Sequence, residues 1–513
     1  MCALRFVRTR PIRSLPQRQN GQALIYGLFM LIGSATALFF LFNTGQLASE
    51  KTKLVNTADA VAYSAAVMHA RALNFDAYSN RALMANEVLV AQMVSLSSWT
   101  QYAKMHVEQV PLMFPECADP RLAVGDALQK FDAAYATMCF ILTVPESPVA
   151  QAVATLSSAV PPAAQALVDA IEGTKTAIKS AESLLHAPAY FTQIRANLMQ
   201  EVADRNYAGD GSVSVRGVNA LAVPGAGPVD DVLAAFVGKY EGEDRTRFAE
   251  AVSRAAGKKE FVNSRNWVSK SLLPPWRAPV CAIKGRNNSV RRSGGTSLIG
   301  LDEWKSEDTE SYWNVHDRYR WFSWSCVEDE YPIAWGEQHD FSEAGEQDAS
   351  GARLGNSPKV NPSAHGMASS ASWSNYSGIP AYYDLSPTML ESADPRLSYS
   401  VKLVREAGAT RTSGGASIIR PSAHLNNFAN GFAGGVMSAV ATGEVYFERP
   451  WFNEGNYSYS TGDMVYVVTK NQSDTTAREI GSLFNPYWQV RLAPNNKQAL
   501  KAEQAGQGAG MPE

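Results

Sequence analysis

The sequence predicts an α+β protein: an N-terminal transmembrane helix continuing into a long helical stalk, then a helical region and a β-rich exported domain. Three observations carry this: an uncharged run from Gly21 to Ser49, a stretch free of glycine and proline from Gln46 to Val110, and aromatic residues in strand-like alternation after residue 262. The segments expected are 1–21, a basic cytoplasmic leader; 22–44, the transmembrane helix; 45–110, the stalk; 111–210, helical; 211–493, the aromatic-rich exported domain; and 494–513, a tail of disordered composition.

The centre of the uncharged run, Leu24 to Phe42, is 19 residues long, about what a bilayer core requires. Arg5, Arg8, Arg10, Arg13 and Arg18 precede it, and no acidic residue occurs before Glu50. Flanking positive charge stays on the cytoplasmic side, so residues from about 45 onward are expected outside. A cleaved secretory signal is the competing reading. The run is longer than an ordinary signal core and ends in bulky Phe40-Leu41-Phe42-Asn43, which favours an uncleaved anchor.

The chain holds 46 basic and 49 acidic residues; without the five leading arginines the remainder has 41 against 49, net −8. A mildly acidic exported part carries no electrostatic footprint for nucleic acid. Cys2 falls on the cytoplasmic side, whereas Cys117, Cys139, Cys281 and Cys326 fall in the oxidising compartment. Four cysteines allow three pairings, of which proximity favours Cys117–Cys139 with Cys281–Cys326. None stands in Cys-x-x-Cys spacing, so metal and redox readings are weak.

The stalk rests on a seven-residue apolar repeat: Leu47, Leu54, Val61, Met68, Phe75, Ala82, Leu89, Leu96, Ala103, Val110. Such a repeat marks a helix with one packed seam, reaching about 100 Å if unbroken. Asn74-Phe75-Asp76-Ala77-Tyr78-Ser79-Asn80 is the candidate break, because Asn, Asp and Ser compete for backbone hydrogen bonds. One rod and a hairpin therefore both stand open. Two readings of the stripe also stand open: an assembly surface, including self-association through the stalk, or a face turned to the chain's own body.

Gly21-Gln22-Ala23-Leu24, the apolar span, Asn43-Thr44-Gly45-Gln46, Leu54 to Ala66 with its Ala58-Asp59-Ala60 core, and Asn80 to Glu87 resemble the TadE/TadG-like proteins of Tad/Flp pilus assembly. The resemblance covers about residues 18–100. It implies a basic leader, a glycine-rooted apolar helix and a small-residue helix beyond it. In pilin-like relatives a prepilin peptidase cuts after a glycine that is followed five residues on by a glutamate. Here Gly21 has Tyr26 at that place. Larger TadG-type members can carry a von Willebrand-type A domain, whose metal site starts with an Asp-x-Ser-x-Ser motif. Asp348-Ala349-Ser350-Gly351-Ala352 fails it at the last position, and Asp384-Leu385-Ser386-Pro387-Thr388 leaves no room for the domain.

Beyond Pro111, expected to end the stalk, residues 121–205 read as two or three helices interrupted by Pro145, Pro148, Pro161 and Pro162. A short strand is expected near Val213–Val218 and a helix over 228–257. Residues 262–340 hold Trp267, Trp276, Trp304, Trp313, Trp321, Trp324 and Trp335, with alternation through Tyr319–Trp324 that suits a strand with a buried face. Filling a β-rich core is the favoured role for these rings, with glycan or protein binding as the rival. Gly345–Ser370 reads as a flexible loop; Ala429–Val440 is too short and glycine-rich for a second span. Further strands are expected at Ala381–Tyr383, Leu397–Val404, Met464–Val468 and Tyr487–Leu492.

No catalytic constellation emerges. His69, His106, His186, His316, His339, His365 and His424 form no His-Glu-x-x-His pair. Ser363/His365 and Ser422/His424 repeat without a nucleophile–base spacing. No nucleophile elbow or phosphate loop is present. No catalytic, cofactor or metal residue is therefore assigned. The expected function is a non-enzymatic, single-pass component of the bacterial inner membrane, with residues 45–513 periplasmic, in a Tad/Flp-type pilus assembly or related secretion system. Its expected partners are other assembly subunits, and the lipid bilayer through residues 22–44. A membrane-tethered periplasmic enzyme or glycan-binding protein is the alternative.

Overall fold

The computed structural model describes residues 22–113, 148–217, 232–271, 278–342, 360–368, 371–392, 394–406, 409–410, 436–448, 467–468, 478–479, 481–495 and 500. The fold is α+β. One helix, α1 (Gln22–Met113), runs 92 residues without interruption, so the span and the stalk form a single rod. The candidate break does not break it, because its polar side chains are engaged elsewhere. Asn74 bonds the backbone of Trp488, Asn80 donates to the carbonyls of Tyr383 and Leu483, and Asp76 meets His186. Side chains held by tertiary partners no longer compete for their own helix's hydrogen bonds.

Pro111 was expected to end the stalk, but it lies inside the last turn of α1. The next described helices are α2 (Pro148–Leu185) and α3 (Pro188–Asn206). Pro161 and Pro162 sit inside α2 and do not split it. They deprive two carbonyls of their helical donors, and this stretch of α2 lies mostly at the surface, where water serves instead. The helix expected over 228–257 is a helix–strand–helix: Val232–Phe236, then strand β2, then α4 (Thr246–Gly257).

The strands are β1 (Ser214–Gly217), β2 (Val237–Tyr240), β3 (Trp267–Lys270), β4 (Ser289–Ile299), β5 (Glu303–Arg320), β6 (Ser323–Phe341), β7 (Ala371–Trp373), β8 (Tyr382–Leu385), β9 (Arg396–Glu406), β10 (Val436–Phe447), β11 (Val467–Val468), β12 (Arg478–Glu479) and β13 (Trp488–Ala493). A four-stranded antiparallel sheet has order β1-β9-β10-β13, and a five-stranded sheet has order β3-β4-β5-β6-β7, with only the β6–β7 pair parallel. The stretch Tyr319–Trp324, expected as one strand, is the end of the long β5–β6 hairpin, with Arg320 opposite Ser323.

Both sheets pack on α1. Its first half buries Leu54, Ala58, Val61, Ala62 and Ala65 against Tyr399, Val401, Leu403 and Met437 of the four-stranded sheet and Met199 and Ala203 of α3. Its second half buries Leu83, Val90 and Val94 among α2, α4 and Trp304, then Tyr102, Ala103, Val107 and Val110 against Val290 and Ile333. Two glycines mark the closest approaches. A Cβ at Gly443 would lie 2.4 Å from the Ala62 carbonyl oxygen, and one at Gly336 would lie 2.3 Å from that of Ser98. The small side chains of α1 serve this intimate strand contact.

The seven-residue seam is only partly the buried face. Leu54, Val61, Ala103 and Val110 are buried, but Phe75, Ala82 and Leu89 are exposed. A straight helix repeats every 3.6 residues, so a strict heptad series drifts by about 20° per repeat around it. Packed on two sheets as well as on α2 and α3, α1 keeps its own period. Its buried face follows Leu54, Ala58, Val61, Ala65, His69, Ala72, Asp76, Leu83, Glu87, Val90, Val94 and Ser98 instead.

The pairing Cys117–Cys139, the basic leader, the tail beyond 500, Trp276, His424 and most of Gly345–Ser370 lie outside the described residues. Cys281 and Cys326 are joined as a disulfide, the pairing that proximity favoured.

Candidate functional site

Residues 23–42 of α1 project from the body with nearly every side chain exposed, including Leu24, Tyr26, Met30, Leu31 and Leu41. At 1.5 Å per residue this segment is about 30 Å long, the thickness of a hydrocarbon core. Among the described residues α1 is the one helix long and apolar enough to cross a membrane. Three polar side chains in and just after this segment bond within the helix. Ser34 donates to the Met30 carbonyl at 2.7 Å, Thr36 to Ile32 at 2.8 Å, and Asn43 to Phe39 at 3.0 Å. That suits a medium with no water to offer hydrogen bonds.

Immediately beyond the apolar segment a charged collar grips the helix. Glu50 faces Arg405 at 3.6 Å, Lys53 bonds Asp210 at 2.5 Å, and Lys51 donates to the Ser438 carbonyl. Arg405 and Lys53 both lie 4.5 Å from the centre of the Tyr207 ring. Burial pushes the Lys51 ammonium below its ordinary pKa. The collar joins the helix to α3, to β9 and to β10. In the sequence, Glu50, Lys51 and Lys53 are simply the mixed charges that follow the span. Their abrupt appearance after an uncharged run was the available signal, but Asp210 and Arg405 lie too far along the chain for spacing to reveal them.

Farther along, buried polar pairs lock α1 to its neighbours. Lys175 of α2 bridges Glu87 at 2.7 Å and Glu172 at 2.8 Å, while Trp304 and Tyr376 donate to Glu87. Ser98 donates to Asp308, which also takes a two-pronged contact from Arg265. Tyr102 at 2.5 Å and His106 at 2.8 Å converge on Glu310. Burial opposes ionisation of Glu310, yet His106 and Tyr102 together hold its carboxyl below the usual range. Burial and the Asp76 charge push Glu182 up to about 8, and burial pushes Asp340 up to about 7.

The histidines are dispersed among such contacts. His106 meets Glu310, His186 meets Asp76, His316 meets Asp329, His339 meets Glu303 and Glu337, and His365 meets Glu307. His69 lies tilted between Phe191 and Tyr399 with Arg195 beside it. Burial, helped by the Arg195 charge, lowers its pKa to about 3, so it is neutral. Among the described residues the single group with metal-ligand proximity is Cys281, Asp317 and Cys326. Its thiols are joined, and the Asp317 carboxylate accepts the Val280 and Cys281 N–H groups at 2.8 and 2.9 Å. The disulfide leaves no thiolate for a cation.

The aromatic residues divide into two sets. Trp304 is fully buried, and Trp267 and Tyr312 pack on the cluster around Tyr102. Tyr319, Trp321, Phe322 and Trp324 are exposed at the β5–β6 end. Sequence alternation did not reveal that turn, because none of its residues is Gly, Asn or Pro.

Comparison with curated proteins and with solved structures finds no match. The family comparison does. With the apolar helix, it supports a pilus-assembly membrane protein. Residues 21–68, the exposed span, the charged collar and the first buried turns of α1, match the model of the putative Flp pilus-assembly TadE/G-like family, which the same segment resembles in sequence.

Proposed function

We propose that this chain is a single-pass inner-membrane subunit of a Tad/Flp-type pilus assembly or related secretion system, acting structurally and without chemistry of its own. The observation that carries this reading is continuity. The segment matching the TadE/G-like family passes unbroken from an exposed apolar helix into a body clamped around the same helix. Its N-terminus lies in the cytoplasm, as the five leading arginines favour, and residues from about 45 onward lie in the periplasm. Other assembly subunits dock on the outer face of α1, where Phe75, Tyr78 and Leu89 remain exposed beside Ala82 and Ala85.

The test is site-specific photocrosslinking from Phe75 and Leu89 in cells, combined with alkaline extraction and protease protection of the full chain. The expected result is an alkali-resistant protein, with residues beyond about 45 protease-accessible only from the periplasmic side, that crosslinks to other assembly components. Adducts confined to the chain itself would remove the docking role of α1. Release by alkali would remove the anchor.

A further inference from the structure

The apex of the β5–β6 hairpin is made of residues that a tight turn ordinarily excludes. Arg320 pairs with Ser323, leaving a two-residue loop of Trp321 and Phe322. Both take positive φ, 52° and 62°, as a type I′ turn requires and as Asn-Gly supplies without strain. Left-handed backbone in two bulky residues is rare and costly, and strain of this kind concentrates at functional sites. The rings do not repay it by packing: Trp321 is 89% exposed and Phe322 94%. Tyr319 and Trp324 flank them across the strands, their rings 5.1 Å apart and both outward.

The surrounding chemistry selects a ligand. Residues 318–325, Arg-Tyr-Arg-Trp-Phe-Ser-Trp-Ser, are all exposed, and no carboxylate occurs from 318 to 327. The nearest acid, Asp317 of β5, lies opposite Cys326 and accepts the Val280 and Cys281 N–H groups. Glu328 and Asp329 sit farther back on β6, where they engage Arg318, His316, Arg286 and Arg291. Arg320 has no ion pair among the described residues. Tryptophan and tyrosine set among arginines match a membrane–water interface, where rings enter the acyl boundary and cations meet headgroup phosphates. The apex is convex, with rings on both strands, so it suits a fluid medium better than one shaped pocket. The Cys281–Cys326 disulfide ties the hairpin stem to the body just behind it.

Position decides which bilayer. β5 follows α1 away from the span: Trp304 lies at Glu87, Asp308 at Ser98, Glu310 at Tyr102 and His106, and Tyr312 in the cluster with Val107 and Val110. Nine further residues, about 30 Å of strand, carry the apex past the end of the helix. We infer that the Trp321–Phe322 apex inserts into a lipid surface other than the one holding residues 23–42, so that the protein touches two bilayers. That this lipid surface is a different one rests on the reading of residues 23–42 as a span; the lipid chemistry of the apex does not.

The test uses the full chain in nanodiscs and protein-free vesicles of phosphatidylcholine with phosphatidylglycerol, scored by co-flotation. Wild type should float with the vesicles. The double variant Trp321→Asn/Phe322→Gly, which gives the turn its preferred residues, should capture at least about tenfold less while keeping its near-UV dichroism. Equal capture by the double variant would overturn the inference, as would folded wild type that captures no vesicles. Capture only when the vesicles also carry the chain would overturn it too, because the occupant would then be a second copy. Failure of the span reading shows separately, as a chain that stays out of nanodiscs; the flotation assay then runs on that soluble chain unchanged.

Discussion

Asn74 holds Trp488 by both of its backbone groups: Nδ2 donates to the carbonyl at 3.0 Å, and Oδ1 accepts the N–H at 3.1 Å. One helical side chain thereby takes the place of a neighbouring strand at the edge of the four-stranded sheet. Asn74→Ala removes both bonds and leaves part-buried backbone groups unpaired, so it should cost about 1–3 kcal/mol. The denaturant midpoint of the purified full chain reads this. Asn74→Asp keeps the acceptor and should fall between the two; an alanine variant as stable as wild type would show that water replaces the amide.

Glycine is required where strands meet α1. Gly443→Ala and Gly336→Ala would drive a methyl group into the Ala62 and Ser98 carbonyl oxygens. Neither obstacle is a flexible side-chain end, so helix and strand must separate. Each change should destabilise by roughly 1–3 kcal/mol or more. Limited proteolysis and thermal unfolding of the two variants are the measurements, and neutral behaviour at both would contradict the close approach.

At the hairpin apex the expected sign is opposite. Replacing Trp321 and Phe322 by Asn and Gly relieves left-handed strain of roughly 1–2 kcal/mol per residue. Thermal unfolding should therefore occur at a higher temperature in the double variant. A lower value would mean that the two rings pack in a way their exposure does not suggest.

The Glu182 carboxyl titrates near 4.5 when the chain is unfolded and about 8 when folded, because of burial and the neighbouring Asp76. Between those values the folded state holds a proton that the unfolded state has released. Its contribution to stability is therefore full below about pH 4.5 and is lost as pH rises to about 8. Glu182→Gln should cancel that loss, so the stability difference between variant and wild type should grow with pH across this window. A pH-independent difference in urea midpoints would refute it.

The parts of the fold readable from sequence were those governed by local rules. The apolar run, the absence of glycine and proline in α1, and the alternation in β9 and β13 each depend on neighbours along the chain. The long-range matches were not readable. Asn74, Asp76 and Asn80 looked like helix breakers because their partners, Trp488, His186, Tyr383 and Leu483, lie over a hundred residues away. The heptad stripe looked like a coiled-coil seam because seven is close to two turns, and only packing against sheets showed the drift. At the candidate site, the span was legible, whereas the collar and the hairpin apex were not. The collar depends on Arg405 and Asp210, and the apex on a turn made from residues that no turn rule selects.

The uninterrupted course of α1 has a mechanical consequence. No linker separates the lipid-facing turns from the turns that both sheets enclose, so tension on the body arrives at the bilayer as axial load along one rod. Tilt is transmitted in the same way. Residues 43–113 make a lever of about 107 Å at 1.5 Å per residue. A tilt of about 20°, ordinary for a membrane helix, would sweep its far end sideways by about 36 Å.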